Sequence, residues 1–225
     1  MTKGILIFGG TRGTGLEVAR LLRARDDAVT VLVRDESDAA ELETLGATIV
    51  RGNALDPVAV DAAFASGDFR AAVNTLGGKR GERPRPDIEG TRHITEAAAR
   101  AGVRRILMVS AIGAGNSRTA VAPKVLEVLG EVLEMKTQAE NGLLNSGLDY
   151  TILRPGGMTN DPASGTAIKI EDHNRMGVIN RADLAALLVE CIDDDATIGK
   201  IYHAVDPGIT WEAPLQRGEN FPERK

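Results

Sequence analysis

The glycine-rich stretch GGTRGTG (9–15) separates an apolar run from a helical pattern near the start of the chain. The spacing of Gly9, Gly13 and Gly15 is typical of a turn that brings an anion close to backbone amides at the amino end of a helix. Strand, turn, helix and second strand follow at the spacing of a dinucleotide-binding unit. We therefore predict that this turn binds the pyrophosphate of a dinucleotide. The alternative is a tight strand-to-helix turn without a ligand.

Two arginines favour a dinucleotide that carries a 2′-phosphate. Arg12 lies within the glycine turn, and Arg34 is the first polar residue after the apolar run VTVLV (29–33). Sites for NAD often have an acidic residue after the second strand to bind the ribose hydroxyls, whereas two guanidinium groups suit a phosphate dianion. We predict NADP(H) as the cofactor. The alternative is that a shift of one residue places the Asp35 carboxylate near the ribose and leaves Arg34 as a solvated charge.

Short apolar runs alternate with amphipathic segments along almost the whole chain. Strands that are apolar on both faces indicate a covered sheet, and the alternation with helices makes it mostly parallel. We predict a single-domain α/β fold, a doubly wound Rossmann-type sheet with helices on both faces over residues 1–207, and a tail at 208–225. The predicted strands are 4–8, 28–34, 47–52, 71–77, 105–111, 149–155 and 200–206, and the predicted helices are 15–25, 37–46, 56–67, 88–102, 123–147 and 182–194.

The least regular segments of the sequence are 78–87, 112–122 and 156–178. Each follows the carboxyl end of a predicted strand, where ligands bind in open α/β sheets. We predict that these segments build a pocket for a small-molecule substrate. The basic stretch KRGERPR (79–85) is predicted to be a solvated loop.

Composition limits the classes of partner. A net charge of -5 and 3% aromatic residues argue against binding to nucleic acid or to an anionic membrane surface. There is no signal-like segment and no apolar run of the roughly 18 residues that span a bilayer, so we expect a cytoplasmic protein. Cys191 is the only cysteine and is predicted to pack as a small hydrophobe. We predict no metal site, and the sequence leaves monomer and homodimer open.

The chain resembles the atypical short-chain dehydrogenases/reductases, in the group that contains NmrA-like proteins and flavin/biliverdin-IX-beta reductases. The resemblance covers residues 3–206. It is carried by FGGTRGTG (8–15), VTVLVRD (29–35), GNALD (52–56), AARAGVRRILMVSAIGAG (98–115), SGLDYTILRPGGMTND (146–161) and INRADLAALL (179–188).

The resemblance implies cofactor-binding and catalytic positions along one crevice. Asn53 and Ala54 would border the adenine, and the residues from Pro155 to Met158 would surround the nicotinamide. Ser110 corresponds to an active-site serine or threonine, and Lys136 resembles the lysine of the Tyr-x-x-x-Lys pair. The implied catalytic residues are Ser110 and Lys136; the implied cofactor-binding residues are Gly9, Thr11, Arg12, Gly13, Thr14, Gly15, Arg34, Asn53, Ala54, Leu76, Gly77, Lys136, Pro155, Gly156, Gly157 and Met158.

The sequence departs from the family at the catalytic acid. Val132 stands where the tyrosine of Tyr-x-x-x-Lys would be, so we expect an acceptor that takes its proton from water, such as a flavin, a quinone or an enone. Ser110 would polarise the acceptor or orient a water. The alternatives are a Ser110 hydroxyl that satisfies strand-end backbone and a Lys136 that is exposed and paired with Glu140.

Other departures are smaller. Arg12 replaces the middle glycine of the GxxGxxG turn, Asn53 replaces a more common aspartate, and His93 replaces a common asparagine. Arg154 is predicted to be structural.

Three function classes follow from this resemblance. The first is an NADPH-dependent reductase of a small conjugated substrate. The second is a non-catalytic NAD(P)-binding redox sensor of the NmrA-like type, favoured by the missing tyrosine. The third is a nucleotide-sugar epimerase or dehydratase. Enzymes of this class generally resemble the longer members of the family, and they keep the tyrosine.

Overall fold

An eight-stranded sheet forms the centre of the structure, a computed structural model that describes residues 3–78 and 81–209. The strands are β1 (Gly4–Phe8), β2 (Val29–Val33), β3 (Thr48–Arg51), β4 (Phe69–Asn74), β5 (Arg105–Val109), β6 (Asp149–Pro155), β7 (Gly157–Thr159), β8 (Ile168–Ile170), β9 (Val178–Asn180) and β10 (Lys200–Val205). The α-helices are α1 (Gly13–Ala24), α2 (Ala40–Thr44), α3 (Pro57–Ala65), α4 (Glu89–Ala101), α5 (Pro123–Leu144) and α6 (Arg181–Ile192). Short 3-10 helices span Gly115–Ala120 and Asp195–Thr197.

The strand order of the main sheet is β3-β2-β1-β4-β5-β6-β10-β8. All neighbours pair in parallel except β8, which runs antiparallel to β10. The chain leaves β1 towards β2 and β3 and then returns to β4 on the other side of β1. The carboxyl ends of β1 and β4 therefore flank the topological switch point, where open α/β sheets bind ligands.

Two apolar layers enclose the sheet. On one face, α1 and α6 pack on side chains such as Ile5, Val31 and Leu153. On the other face, α3, α4 and α5 pack on side chains such as Phe8 and Ile106. The predicted doubly wound α/β fold is confirmed.

The predicted strands and helices are all present, and their ends lie within three residues of the predicted ones. The fourth strand ends at Asn74 rather than at residue 77, because the Asn74 carboxamide accepts a hydrogen bond from the Leu76 amide (3.0 Å) and turns the chain. The segment 156–178 is not wholly irregular, since it contains β7 and β8. β7 pairs with β9 in a small separate sheet, and the short length of these strands explains why periodicity did not reveal them.

Two other sequence predictions concern single features. Cys191 is fully buried in α6, as predicted, and burial raises the pKa of its thiol. The predicted tail lies outside the described residues apart from Gly208 and Ile209. Within the described ranges, no helix has both the length and the apolar character to cross a membrane.

Candidate cofactor and active site

The glycine turn connects the carboxyl end of β1 to α1. Gly9 and Gly13 have φ angles of +86° and +54°, which favour glycine. A Cβ at Gly15 would lie 2.5 Å from Thr75 Oγ1 and would also overlap the Gly9 carbonyl. The Thr75 hydroxyl donates to the carbonyls of Phe8 (3.0 Å) and Gly9 (3.1 Å), which fixes the turn against the end of β4.

The first turn of α1 faces this crevice with the properties of an anion site. Its amides have no acceptor within the helix, and the helix dipole favours negative charge at this end. Arg12 is the N-cap residue, with extended backbone and an exposed side chain. At Gly15 the helix packs directly against the Gly9 carbonyl and Thr75, and only glycine allows this close approach.

Arg34 follows β2 directly and is half-buried. Its Nη1 donates to Glu82 Oε1 over 3.1 Å, and its Nε lies 3.2 Å from Glu36 Oε1. Because Glu82 belongs to the connection after β4, the Arg34 guanidinium points across β1 and over the crevice. Asp35 is exposed in the turn that follows. The structure thus directs Arg34 into the crevice and leaves Asp35 at the surface.

A further arginine, which sequence reasoning did not identify, supports the Arg34 backbone. Arg51 at the end of β3 donates from Nη1 to the carbonyls of Arg34 (3.2 Å) and Ser37 (2.9 Å). The third strand therefore holds the loop that presents Arg34.

An apolar surface lies beside the start of α4. A Cβ at Gly90 would lie 3.1 Å from Leu76 Cδ1 and 3.6 Å from Ala54 Cβ, so these two side chains approach the same point. Ala54 is buried and Leu76 is half-buried. This surface has the apolar character that an adenine ring would contact.

Polar groups hold the loop that carries Ala54. The Asn53 side chain accepts the Leu55 amide over 3.0 Å and so stabilises its own turn. His93 Nδ1 lies 3.0 Å from the Ala54 carbonyl, and its Nε2 lies 2.9 Å from a guanidinium nitrogen of Arg92. These partners make Nδ1 the donor, and His93 therefore positions the loop.

Lys136 Nζ contacts the carboxyl ends of β4 and β5, and Ser110 is the residue that follows β5. Lys136 Nζ donates to the Leu76 carbonyl over 2.7 Å and lies 3.5 Å from the Val109 carbonyl. It also forms an ion pair with Asp87, 3.2 Å from Oδ1. Ser110 is buried, and its hydroxyl has no hydrogen-bond partner among the described residues.

The alternative prediction, that Lys136 is exposed and pairs with Glu140, is wrong. Glu140 accepts instead from Arg154, over 2.9 Å to Nε and 2.6 Å to Nη2, and both side chains are buried. Arg154 Nη1 also donates to Asn116 over 2.7 Å. This pair joins α5, β6 and the 3-10 helix, so Arg154 is structural, as predicted.

Asp87 was not identified from the sequence. Its carboxylate is fully covered and pairs with Arg85 (3.0 Å) as well as with Lys136. It also accepts the Gly78 amide over 3.2 Å. The prediction of a solvated loop at 79–85 is wrong at Arg85, whose side chain is only 9% exposed; residues 79 and 80 lie outside the described ranges. A lone aspartate before a helix is usually a cap, and no sequence pattern indicated a buried partner for Lys136.

The segments after β5 and β6 contact each other. The Ile112 amide donates to the Pro155 carbonyl over 2.8 Å, and the Gly157 amide donates to the Gly177 carbonyl over 3.1 Å. A Cβ at Gly156 would overlap that same Gly177 carbonyl. The main chain at Gly156 and Gly157 therefore lies close against a neighbouring loop.

Arg181 connects this loop to the glycine turn. Its Nη1 donates to the carbonyls of Met158 (3.3 Å) and Thr159 (3.1 Å) and to Asn160 Oδ1 (2.7 Å). Its Cδ would lie 3.3 Å from a Cβ at Gly13. Arg181 is another residue that sequence reasoning missed, although the stretch INRADLAALL contains it.

The candidate positions thus lie at one edge of the sheet, at the carboxyl ends of β1 to β6. Within the part of the chain that the structure describes, no group of three or more His, Cys, Asp or Glu side chains could hold a metal ion.

Comparisons with known proteins identify the family of the chain. The family model described as NAD(P)H-binding matches residues 9–195. "Uncharacterized sugar epimerase YhfK" of Bacillus subtilis is 32% identical over 203 residues, 88% of this chain and 92% of its own length. The NAD(P)H azoreductase of Xenophilus azovorans is 27% identical over 212 residues, covering 90% of this chain and 68% of the azoreductase.

A solved structure extends the similarity to three dimensions. ChuY, described as an anaerobillin reductase from Escherichia coli O157:H7, has a TM-score of 0.85 and 29% identity, and the match covers 93% of this chain and all of ChuY.

Proposed function

The chain belongs to the NAD(P)H-binding family of Rossmann-type proteins, and on this premise we propose that it is an NADPH-dependent reductase of small conjugated acceptors. Flavins, quinones and enones are the acceptor class. The observation that carries the proposal is the buried Ser110 hydroxyl, which has no partner among the described residues and directly follows Val109, whose carbonyl lies 3.5 Å from Lys136 Nζ. A donor of this kind suits an acceptor atom that gains negative charge.

The cofactor would occupy the crevice at the switch point. The amides after Gly13 would bind the diphosphate, while Arg12 and Arg34 would bind the 2′-phosphate. Two arginine forks from adjacent strand ends suit a phosphate dianion better than a pair of ribose hydroxyls. NADPH is therefore the form that we assign to this site.

The reactive end would be organised by Lys136 and by the loop from Pro155 to Met158. When bound, the reduced nicotinamide supplies a hydride. Lys136 would donate to ribose hydroxyls and keep positive charge beside the acceptor, and Ser110 would donate to the acceptor's oxygen or nitrogen. The loop main chain would exclude water from this side of the crevice.

The missing tyrosine limits the class of acceptor that the site can reduce. The chain has two tyrosines, and both lie in strands. Tyr150 is near the amino end of β6, opposite the carboxyl ends of the strands where the candidate site lies, and Tyr202 is in β10. Val132, one helical turn before Lys136, cannot donate a proton. A conjugated acceptor delocalises the negative charge and takes its proton from water, so it does not need the missing acid. Two of the similar proteins carry reductase names, one acting as an azoreductase and one as an anaerobillin reductase.

An epimerase activity is less well supported, although the Bacillus relative has that name. Sugar epimerisation removes and returns hydrogen at a carbinol carbon, and this step needs an acid–base group beside the hydroxyl. Val132 stands at the position of the family's tyrosine and supplies no such group.

The proposal is tested by mixing the purified protein with NADPH and one acceptor at a time: a flavin, a quinone, an azo dye, an enone, and a saturated ketone as the control. We expect oxidation of NADPH with a conjugated acceptor and none above background with the ketone. Ser110→Ala should lower kcat by about 10- to 100-fold, the usual range for loss of one charge-stabilising donor. Gly130→Ala, far from the site, should leave kcat unchanged. Absence of turnover with every conjugated acceptor would contradict the proposal, and different affinities for NADPH and NADP would then favour a redox sensor.

A further inference from the structure

The carboxylate of Glu82 lies on the guanidinium group that we assign to the 2′-phosphate. Arg34 Nη1 donates to Glu82 Oε1 over 3.1 Å, and the Glu82 side chain is only 25% exposed. Arg34 remains 41% exposed, so this pair forms at the mouth of the crevice. A carboxylate and a phosphate are both anionic acceptors for an arginine fork, and they therefore compete for the same donors.

An ordered segment holds Glu82 in this position. Residues 81–87, which we name the connecting segment, follow the crevice from its adenosine end to its reactive end. Two prolines restrict the backbone of the segment. Three further ion pairs fix it: Arg83–Glu131 (2.6 Å), Arg85–Asp87 (3.0 Å) and Asp87–Lys136 (3.2 Å).

The second carboxylate on Arg34 differs in its freedom to move. Glu36 lies 3.2 Å from Arg34 Nε, but its side chain is 69% exposed and can turn into water when an anion arrives. The Glu82 side chain is largely covered. When a phosphate binds Arg34, Glu82 must therefore either move away together with part of the connecting segment or remain close to the phosphate. Both outcomes cost binding free energy for a cofactor with a 2′-phosphate and none for a cofactor with a free 2′-hydroxyl.

We propose that Glu82 is a specificity-determining residue that sets the preference between NADPH and NADH. The 2′-phosphate must displace Glu82 from Arg34, whereas a ribose without this phosphate leaves the ion pair intact. This inference rests on the proposed function, because it takes Arg34 as the phosphate ligand.

The test measures dissociation constants for NADPH and NADH by nucleotide fluorescence, without any acceptor. Glu82→Gln should lower the dissociation constant for NADPH by about threefold to tenfold. This is the range expected for release of one exposed ion pair and one like-charge contact. The affinity of this variant for NADH should stay within about twofold of the affinity of the natural protein. Glu131→Gln is the matched control, because it removes the same charge and breaks the Arg83 pair without touching Arg34. This control should change neither constant by more than about twofold.

The Arg34→Met background separates this inference from the proposed function. In that background, Glu82→Gln should strengthen NADPH binding by a smaller factor than it does in the natural protein, because the ion pair with Arg34 is already gone and only the like-charge contact is removed. If Arg34→Met weakens NADPH but Glu82→Gln leaves the NADPH-to-NADH ratio unchanged, Glu82 has no role in specificity and only this inference is overturned. If Arg34→Met leaves NADPH affinity unchanged, the assignment of the phosphate site is wrong. Equal tightening of both cofactors by Glu82→Gln would also overturn the role of Glu82.

Discussion

Asp87 and Lys136 form a buried ion pair, with Lys136 Nζ 3.2 Å from Asp87 Oδ1, at the carboxyl edge of the sheet beside Ser110. The pair connects the end of the connecting segment to the middle of α5. Together with the hydrogen bond that Lys136 Nζ donates to the Leu76 carbonyl, this ion pair fixes the direction of the ammonium group. Asp87 is thus a positioning residue for Lys136.

Asp87→Asn should lower kcat of the proposed reductase by about 10-fold or more, because Lys136 loses the carboxylate charge that holds its ammonium group in place. The KM for NADPH should change by less than about threefold, because the phosphate-binding groups are intact. Steady-state kinetics on protein shown to be folded would measure both. A proportional rise of KM with unchanged kcat would contradict the positioning role.

Gly15→Ala should abolish NADPH binding and destabilise the protein. The added methyl would lie 2.5 Å from Thr75 Oγ1 and overlap the Gly9 carbonyl, so the turn must open. Gly130→Ala is the matched substitution in α5, where a Cβ meets nothing within 4 Å, and it should raise stability by about 0.5–1 kcal/mol through helix propensity. Denaturant unfolding and cofactor titration measure the two effects. Normal NADPH affinity in Gly15→Ala would show that the turn does not approach the cofactor.

The Arg154–Glu140 pair should stabilise the fold only while both partners are present. Glu140→Leu or Arg154→Met alone should cost about 3–5 kcal/mol, because each leaves a buried charge without its partner. The double variant should recover most of that loss, since it buries no lone charge. Equilibrium unfolding of the three variants forms a double-mutant cycle. Additive losses would show that the two side chains act independently.

His203 should make stability depend on pH. Burial lowers the pKa of His203, and its Nε2 has no partner among the described residues. The unfolded state therefore binds a proton more readily than the folded state. Stability should fall as pH drops through the ordinary histidine pKa of about 6.5 and should level off below the folded pKa.

His203→Gln should flatten this dependence between about pH 7.5 and 5.5, a window above the range where most carboxylates titrate. Thermal unfolding at several pH values measures the slope. The same slope in the variant and in the natural protein would remove His203 as its cause.

The order of strands and helices could be predicted from the sequence because each element carries a strong local pattern. Runs such as GILIF and VTVLV are apolar on both faces, and Asp56 before Pro57 is a typical helix start, confirmed by its hydrogen bond to the Val58 amide (2.9 Å). The three-residue strands β7, β8 and β9 have no period long enough to detect.

The residues that organise the site were harder to predict, because their partners are distant in the sequence. Asp87 meets Lys136 only after α4 and β5 have folded between them, and Glu82 meets Arg34 across β1. Arg181 lies in a quoted motif, but its contacts with Gly13 and Met158 depend on how α6 packs on α1. Sequence patterns indicated the glycine turn and Arg34, and the family resemblance indicated Ser110 and Lys136. The structure adds side chains that contact these positions.

Binding of NADPH and NADH to the natural protein and to the Arg12→Met/Arg34→Met double variant tests the central claim most directly. Isothermal titration should give an affinity for NADPH at least about tenfold above that for NADH, consistent with one or two charge-assisted bonds to the extra phosphate. The double variant should lose this preference and retain binding of NADH. Equal affinity of the natural protein for the two cofactors, or an unchanged preference in the double variant, would contradict the account.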